Sequence, residues 1–169
     1  MAGDKYIYNN AGTLTEKAAI QTSAGAGDAG KIPALDTSGR LDNSMLPVGL
    51  GADTASIQAS EALSAGDLVN VHNVTGAARV RKADATTSGK EAHGFVLAGA
   101  ASGANATVYF EGTDTAVTGL TPGVAFLSTT PGQATATAPS GTGNVVQRVG
   151  FVTAATALNF QSNAPVVLA

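Results

Sequence analysis

The sequence predicts an all-β protein: a small β-barrel of two pseudo-repeated halves, residues 51–169, carrying an extended N-terminal arm, residues 1–50. Three observations predict it. From residue 54 onward, short β-branched or apolar runs recur at roughly 8–12-residue spacing with turn residues between them. Two segments of that region repeat at a nearly constant offset. The first fifty residues, by contrast, scatter their few apolar side chains (Ile7, Leu14, Ile20, Ile32, Leu35, Leu41, Met45, Leu46) too widely for a private core.

Taken in order, Lys5-Tyr6-Ile7-Tyr8, Asn9-Asn10-Ala11-Gly12 and Thr13-Leu14-Thr15 form a strand, a turn and a strand. The one stretch with room for two helical turns is 15–22. Residues 18–30 have the Ser/Ala/Gly composition of a flexible linker. Asp36-Thr37-Ser38-Gly39 is a turn, and Pro33, having no N–H to donate, confines its segment to a sheet edge or an extended arm. A breaker cluster, Leu46-Pro47-Val48-Gly49-Leu50-Gly51, closes the arm. Strands then follow at 57–59, 68–71, 78–81, 95–98, 107–110, 124–127, 134–137, 145–152, 158–160 and 165–168.

The repeat runs through these strands. Leu63-Ser64-Ala65-Gly66-Asp67-Leu68-Val69 aligns with Leu120-Thr121-Pro122-Gly123-Val124-Ala125-Phe126, 57 residues on. Gly94-Phe95-Val96-Leu97-Ala98 aligns with Gly150-Phe151-Val152-Thr153-Ala154, 56 residues on. Ala106-Thr107-Val108-Tyr109-Phe110 answers to Ala157-Leu158-Asn159-Phe160 at an offset near 51. Phe95, Val108, Phe110, Phe126, Phe151 and Phe160 are the expected core.

Composition sets the assembly state. Ala, Gly, Thr and Ser make up 85 of the 169 residues. Such small side chains bury little area each, so a monomer has a thin core and an oligomer is expected. Charged residues are 12% of the chain, and residues 115–169 carry only Arg148. A surface that poor in charge is soluble when partners cover it. A net charge of −3 points away from nucleic acid and anionic membranes. With 44% hydrophobic residues the chain is not of the disordered class. The N-terminal residues show no secretory signal, and no apolar run approaches the roughly 20 residues a membrane span needs.

The chemistry-bearing motifs are sparse. There is no Cys, hence no disulfide, thiolate site or Cys nucleophile. Gly25-Ala26-Gly27-Asp28-Ala29-Gly30 matches G-x-G-x-x-G, but Pro33 follows where a dinucleotide site needs a helix, so it is a linker. The D-T-S-G at residues 36–39 has an extra residue compared with an aspartic-protease motif and no second copy. His72 and His93 lack a ligand cluster or an orienting partner, and are expected at strand surfaces. Arg79-Val80-Arg81-Lys82 is the one basic cluster, with Arg79 and Arg81 on one strand face. Asn73-Val74-Thr75 and Asn105-Ala106-Thr107 are sequons that carry no weight without secretion. No catalytic, cofactor-binding or metal-binding residue is expected.

Two stretches carry a family resemblance. Gly30-Lys31-Ile32-Pro33-Ala34-Leu35-Asp36-Thr37-Ser38-Gly39-Arg40-Leu41-Asp42-Asn43-Ser44-Met45-Leu46-Pro47 resembles a segment of intertwined trimeric regions in tailed-phage fibres and head proteins. The stretches 94–98, 106–112, 120–123 and 145–152 are similar to small β-barrel domains of phage head decoration (cement) and head-fibre proteins. The resemblance implies a virion protein without catalysis. It would be made in the host cytoplasm and assembled as a homotrimer on the outer surface of the capsid, its partner the major capsid protein lattice. The alternative is a receptor- or carbohydrate-binding fibre tip. That function wants exposed aromatics, for which the sequence offers Tyr6, Tyr8 and Tyr109.

Overall fold

The computed structural model describes residues 5–46 and 52–169, so the expected breakers at 47–51 lie outside the described residues. The chain divides into two units, Met1–Gly51 and Ala52–Ala169. Among the described residues there is no α-helix, and every strand pairing within a sheet is antiparallel.

The first unit opens with a hairpin of β1 (Lys5–Asn10) and β2 (Thr13–Ala18). Ala11 and Gly12 both take positive φ (50° and 93°), the two-residue turn whose twist matches that of the flanking strands. Asn9 Oδ1 accepts from the Gly12 N–H at 2.8 Å. The helical turns expected over 15–22 are therefore not formed. Pairing of Lys5 with Ala18 and Tyr8 with Thr15 draws this stretch into the ladder instead. The expected linker is also ordered: Ala26–Asp28 forms a 3-10 turn. The Asp28 carboxylate accepts from the Ala24 N–H at 2.6 Å and pairs with Lys31 at 2.6 Å. Lys31 first, and then the Ala24 amide, hold that carboxyl below its usual range. Pro33 meets Ile20 in a parallel bridge that uses only the N–H groups of Ile20 and Ala34. Asp36 closes its turn by accepting from the amides of Ser38 and Arg40.

The second unit holds two five-stranded sheets. Sheet 1 comprises β3 (Thr54–Gln58), β4 (Leu68–Val74), β5 (Ala77–Lys82), β6 (Gly94–Phe95) and β7 (Asn105–Tyr109), in the order β3-β7-β6-β4-β5. Sheet 2 comprises β8 (Glu111–Asp114), β9 (Gly123–Leu127), β10 (Ala134–Thr135), β12 (Arg148–Ala154) and β13 (Ala157–Gln161), in the order β8-β13-β12-β9-β10. Strand for strand, in sequence order, the two sheets have the same arrangement. Both Gly-Phe-Val segments occupy the central strand. A small pair, β11 (Val145–Val146) with β14 (Val166–Val167), completes the unit. Among the described residues no ladder joins the two large sheets, so strand pairing does not close a barrel.

One hydrophobic cluster joins the sheets, with Leu68 and Phe95 from sheet 1 meeting Leu127, Val149, Leu158 and Phe160 from sheet 2. The Phe95 ring lies 5.7 Å from that of Phe160 and 5.3 Å from that of Tyr109. The opposite face of sheet 1 is buried too: Val69, Val80, Val96 and Val108 pack beneath Ala59 and Leu63. Gln147, 1% exposed, latches the two halves. Its Oε1 accepts from the Ala92 N–H at 2.7 Å, and its Nε2 donates to the Ala92 carbonyl at 2.9 Å and the Asn163 carbonyl at 3.2 Å.

Two expectations about the repeat need correction. The offset near 51 pairs buried Val108 with exposed Asn159, whereas in the sheets Tyr109 and Asn159 are the partners of Phe95 and Phe151. Side chains alternate along a strand, so an odd slip exchanges the two faces. Phe151, expected in the core, is 44% exposed. A register shift between Arg148 and Gly150 inserts one residue into β12. Val149 and Val152 consequently both face inward and Phe151 faces out. Phe95, Val108 and Phe160 are buried as expected, while Phe110 and Phe126 are half-buried.

Candidate functional site

The basic cluster lies on β5, and pairing of Arg81 with Asn70 and of Arg79 with His72 puts both arginines on the same face as His72. There a cleft of about 320 Å³ collects Glu61, His72, Arg81, Lys82, Asp84 and Lys90. Most of its charge is spent internally. Lys82 pairs with Asp67 at 3.0 Å, and Lys90 with Asp84 at 2.9 Å. Arg81 donates from Nε to Asn70 Oδ1 at 3.0 Å and from Nη2 to the Gly89 carbonyl at 2.6 Å. Glu61 accepts from the Lys82 amide at 2.6 Å. Burial pushes the Asp84 carboxyl up, but hydrogen bonds from Thr86 and Lys90 outweigh it and hold the group below its usual range. Burial, and then the Arg81 charge, hold the His72 imidazole below its usual value. This arrangement fastens the 84–93 loop to the sheet.

The other sequence candidates stand apart from one another. His93 is exposed, and its Nδ1 accepts from the Val71 amide at 3.1 Å. Asn73 caps the β4–β5 turn by accepting from the Gly76 N–H at 3.0 Å, and Asn105 opens β7. The G-x-G-x-x-G segment holds the 3-10 turn described above; β2 ends at Ala18, short of the first glycine, and among the described residues no α-helix follows. Among the described residues no group of three or more His, Cys, Asp or Glu side chains could hold a metal ion.

No protein family, curated protein or solved structure matches this chain.

Sequence reasoning passed over two features that the structure brings together. Asp114 is fully buried beside Asp67, its Oδ1 accepting from the Ala116 N–H at 2.9 Å and its Oδ2 without a partner. Burial first, and the nearby Asp67 charge next, push its carboxyl above the usual range. The second feature is the open face of sheet 2, where Val124, Phe151, Asn159 and Thr113 form one cross-strand row. Only the inserted residue in β12 turns that aromatic outward, and periodicity in the sequence carries no sign of it.

The first unit presents the larger unpartnered surface. None of its described residues is buried. Ile7 is 67% exposed, Leu14 70% and Leu35 55%, with Ile32 and Leu41 also exposed. Its hairpin is held by cross-strand polar pairs, an ion pair of Lys5 with Glu16 and the Lys17 ammonium 3.9 Å from the centre of the Tyr8 ring.

Proposed function

We propose that this chain is a structural virion protein: a homotrimeric decoration protein that binds the outside of a tailed-phage head through the major capsid protein lattice and stabilises it. In this reading residues 1–50 are the tether, and the two sheets of matching strand order are the duplicated halves of one barrel-like unit. The role is mechanical, with no catalysis and no cofactor, and the partner is a protein surface, not nucleic acid or a membrane. One observation carries the reading. Across the described residues of the first unit, Ile7, Leu14, Ile32, Leu35, Leu41 and Leu46 are exposed and no residue is buried. Apolar surface of that extent is stabilised by transfer out of water at about 25 cal/mol per Å², and a neighbouring subunit or the capsid supplies the cover. Closed symmetry then multiplies many weak contacts into a firm attachment. The resemblance of residues 30–47 to trimeric phage-fibre segments supports the same assignment.

Sedimentation equilibrium tests the assembly: a mass three times the 16.6 kDa of the chain is expected, and a monomer at micromolar concentration contradicts it. Pelleting of the purified protein with phage heads that lack it tests the attachment.

A further inference from the structure

A second, larger cleft opens on the outward face of sheet 2, beside the segment that leads into β3. Its volume is about 580 Å³, and Asp53, Glu111, Phe151, Thr153, Asn159 and Gln161 line it. We propose that this cleft binds a neutral saccharide.

The framework is built by pairing. The Asp53 carbonyl accepts from the Phe110 N–H at 2.9 Å, which fixes Asp53 beside the start of β8. Across the ladder Glu111 faces Gln161, and Phe151 faces Asn159. Glu111, Phe151, Asn159 and Gln161 therefore stand on paired strands, with Asp53 tied beside them by its carbonyl, and are positioned before any ligand arrives, which lowers the ordering cost of binding. The volume falls within the range of small-ligand clefts, roughly 300–1,000 Å³.

The chemistry is that of a sugar site. Phe151 is an aromatic ring on a polar floor, and the apolar C–H face of a pyranose stacks on such a ring. The Arg148 guanidinium sits 4.0 Å from the ring centre without lining the cleft, and so holds the ring in place. Around it, the side chains of Asp53, Glu111, Asn159 and Gln161 make no hydrogen bond to any described residue. Carboxylates accept only, while amides both donate and accept. Together they match the paired donors and acceptors of neighbouring sugar hydroxyls. The contrast with the β4–β5 cleft is instructive, because there the cations and carboxylates are already paired within the chain. Two carboxylates with no cation among the lining residues disfavour sialylated or sulfated sugars and select neutral ones.

This inference does not depend on the decoration reading, which is decided by head binding. Its test uses the full-length protein on an array of immobilised neutral and sialylated oligosaccharides, followed by calorimetric titration with the free oligosaccharide that binds. Binding to neutral glycans alone is expected. Phe151→Ala should weaken it roughly three- to tenfold, the worth of one aromatic stacking contact. Asn159→Ala, at an exposed position that leaves the ring in place, should also weaken it with an unchanged melting temperature. The proposal is overturned by no binding to any neutral glycan, by binding confined to sialylated ones, or by binding that both variants retain. It is equally overturned if Phe151→Ala lowers the sedimentation mass of a protein that binds no glycan, because a second copy would then occupy the face.

Discussion

Replacing Gly150 by alanine should unfold much of the second unit. Gly150 sits in β12 at φ +130°, and a Cβ built on it would lie 1.9 Å from the Asn159 carbonyl oxygen and 3.0 Å from its carbon. Both are backbone atoms of the neighbouring strand, so no side-chain rotation relieves the overlap. Ordinary contact requires β12 and β13 to separate by about 1.5 Å. Such a shift breaks the ladder bonds around the Gly150–Phe160 pair, at about 1–3 kcal/mol for each buried backbone group left unpaired. The backbone conformation adds about 1–3 kcal/mol of strain for any L side chain. The total exceeds about 4 kcal/mol, a large part of the 5–15 kcal/mol that holds a typical domain. Two companion variants separate the contributions. Gly112→Ala, at φ +114° with nothing within 4 Å of the new methyl, carries the strain alone. Gly94→Ala, at the matching site in sheet 1, carries the overlap alone, 2.5 Å from the Tyr109 carbonyl oxygen. Urea unfolding followed by circular dichroism reads all three. A Gly150→Ala protein within about 1 kcal/mol of wild type, or one no worse than Gly112→Ala, would refute the packing described here.

Three further outcomes follow from the same structure. Gln147→Ala removes the latch between the halves and should cost about 3 kcal/mol, with faster hydrogen exchange at the Ala92 amide; unchanged exchange there would contradict the latch. Asp114 has its folded-state pKa above the unfolded value, so the native state holds the proton more tightly and stability falls as pH rises from 3.8 through that folded pKa. Asp114→Asn, which keeps the acceptor for the Ala116 amide, should therefore raise the melting temperature at pH 7 and bring little gain at pH 3; a uniform loss at both would count against it. Deleting residues 2–30 should leave the melting of the second unit unchanged, because its cores draw on residues 57–160 alone, and should abolish pelleting with heads; full head occupancy by the truncated protein would place attachment on the second unit.

The strands of the second unit were legible because runs such as Thr107-Val108-Tyr109 and Val145-Val146 combine β-branched residues with flanking turns. The strand β8 was not, since Glu111-Gly112-Thr113-Asp114 has almost no strand preference of its own and is drawn in by pairing with β13. The expected run over 145–152 breaks at Gln147, whose side chain is committed to Ala92, and nothing local marks that glutamine as the buried one. The repeat was visible in glycines and phenylalanines, yet the face on which Phe151 emerges depends on one inserted residue. The cleft around Phe151 was out of reach for a different reason. Asp53, Glu111 and Phe151 are far apart in the chain, and only the approach of Asp53 to Phe110 and the β8–β13–β12 ladder brings them together.

The assignment to a phage head is tested most directly by imaging heads, prepared without this chain, after addition of the purified full-length protein. Reconstruction by electron cryo-microscopy should show regularly placed knobs of threefold symmetry on the outer capsid surface. Bare heads, or density confined to the tail, would contradict the account.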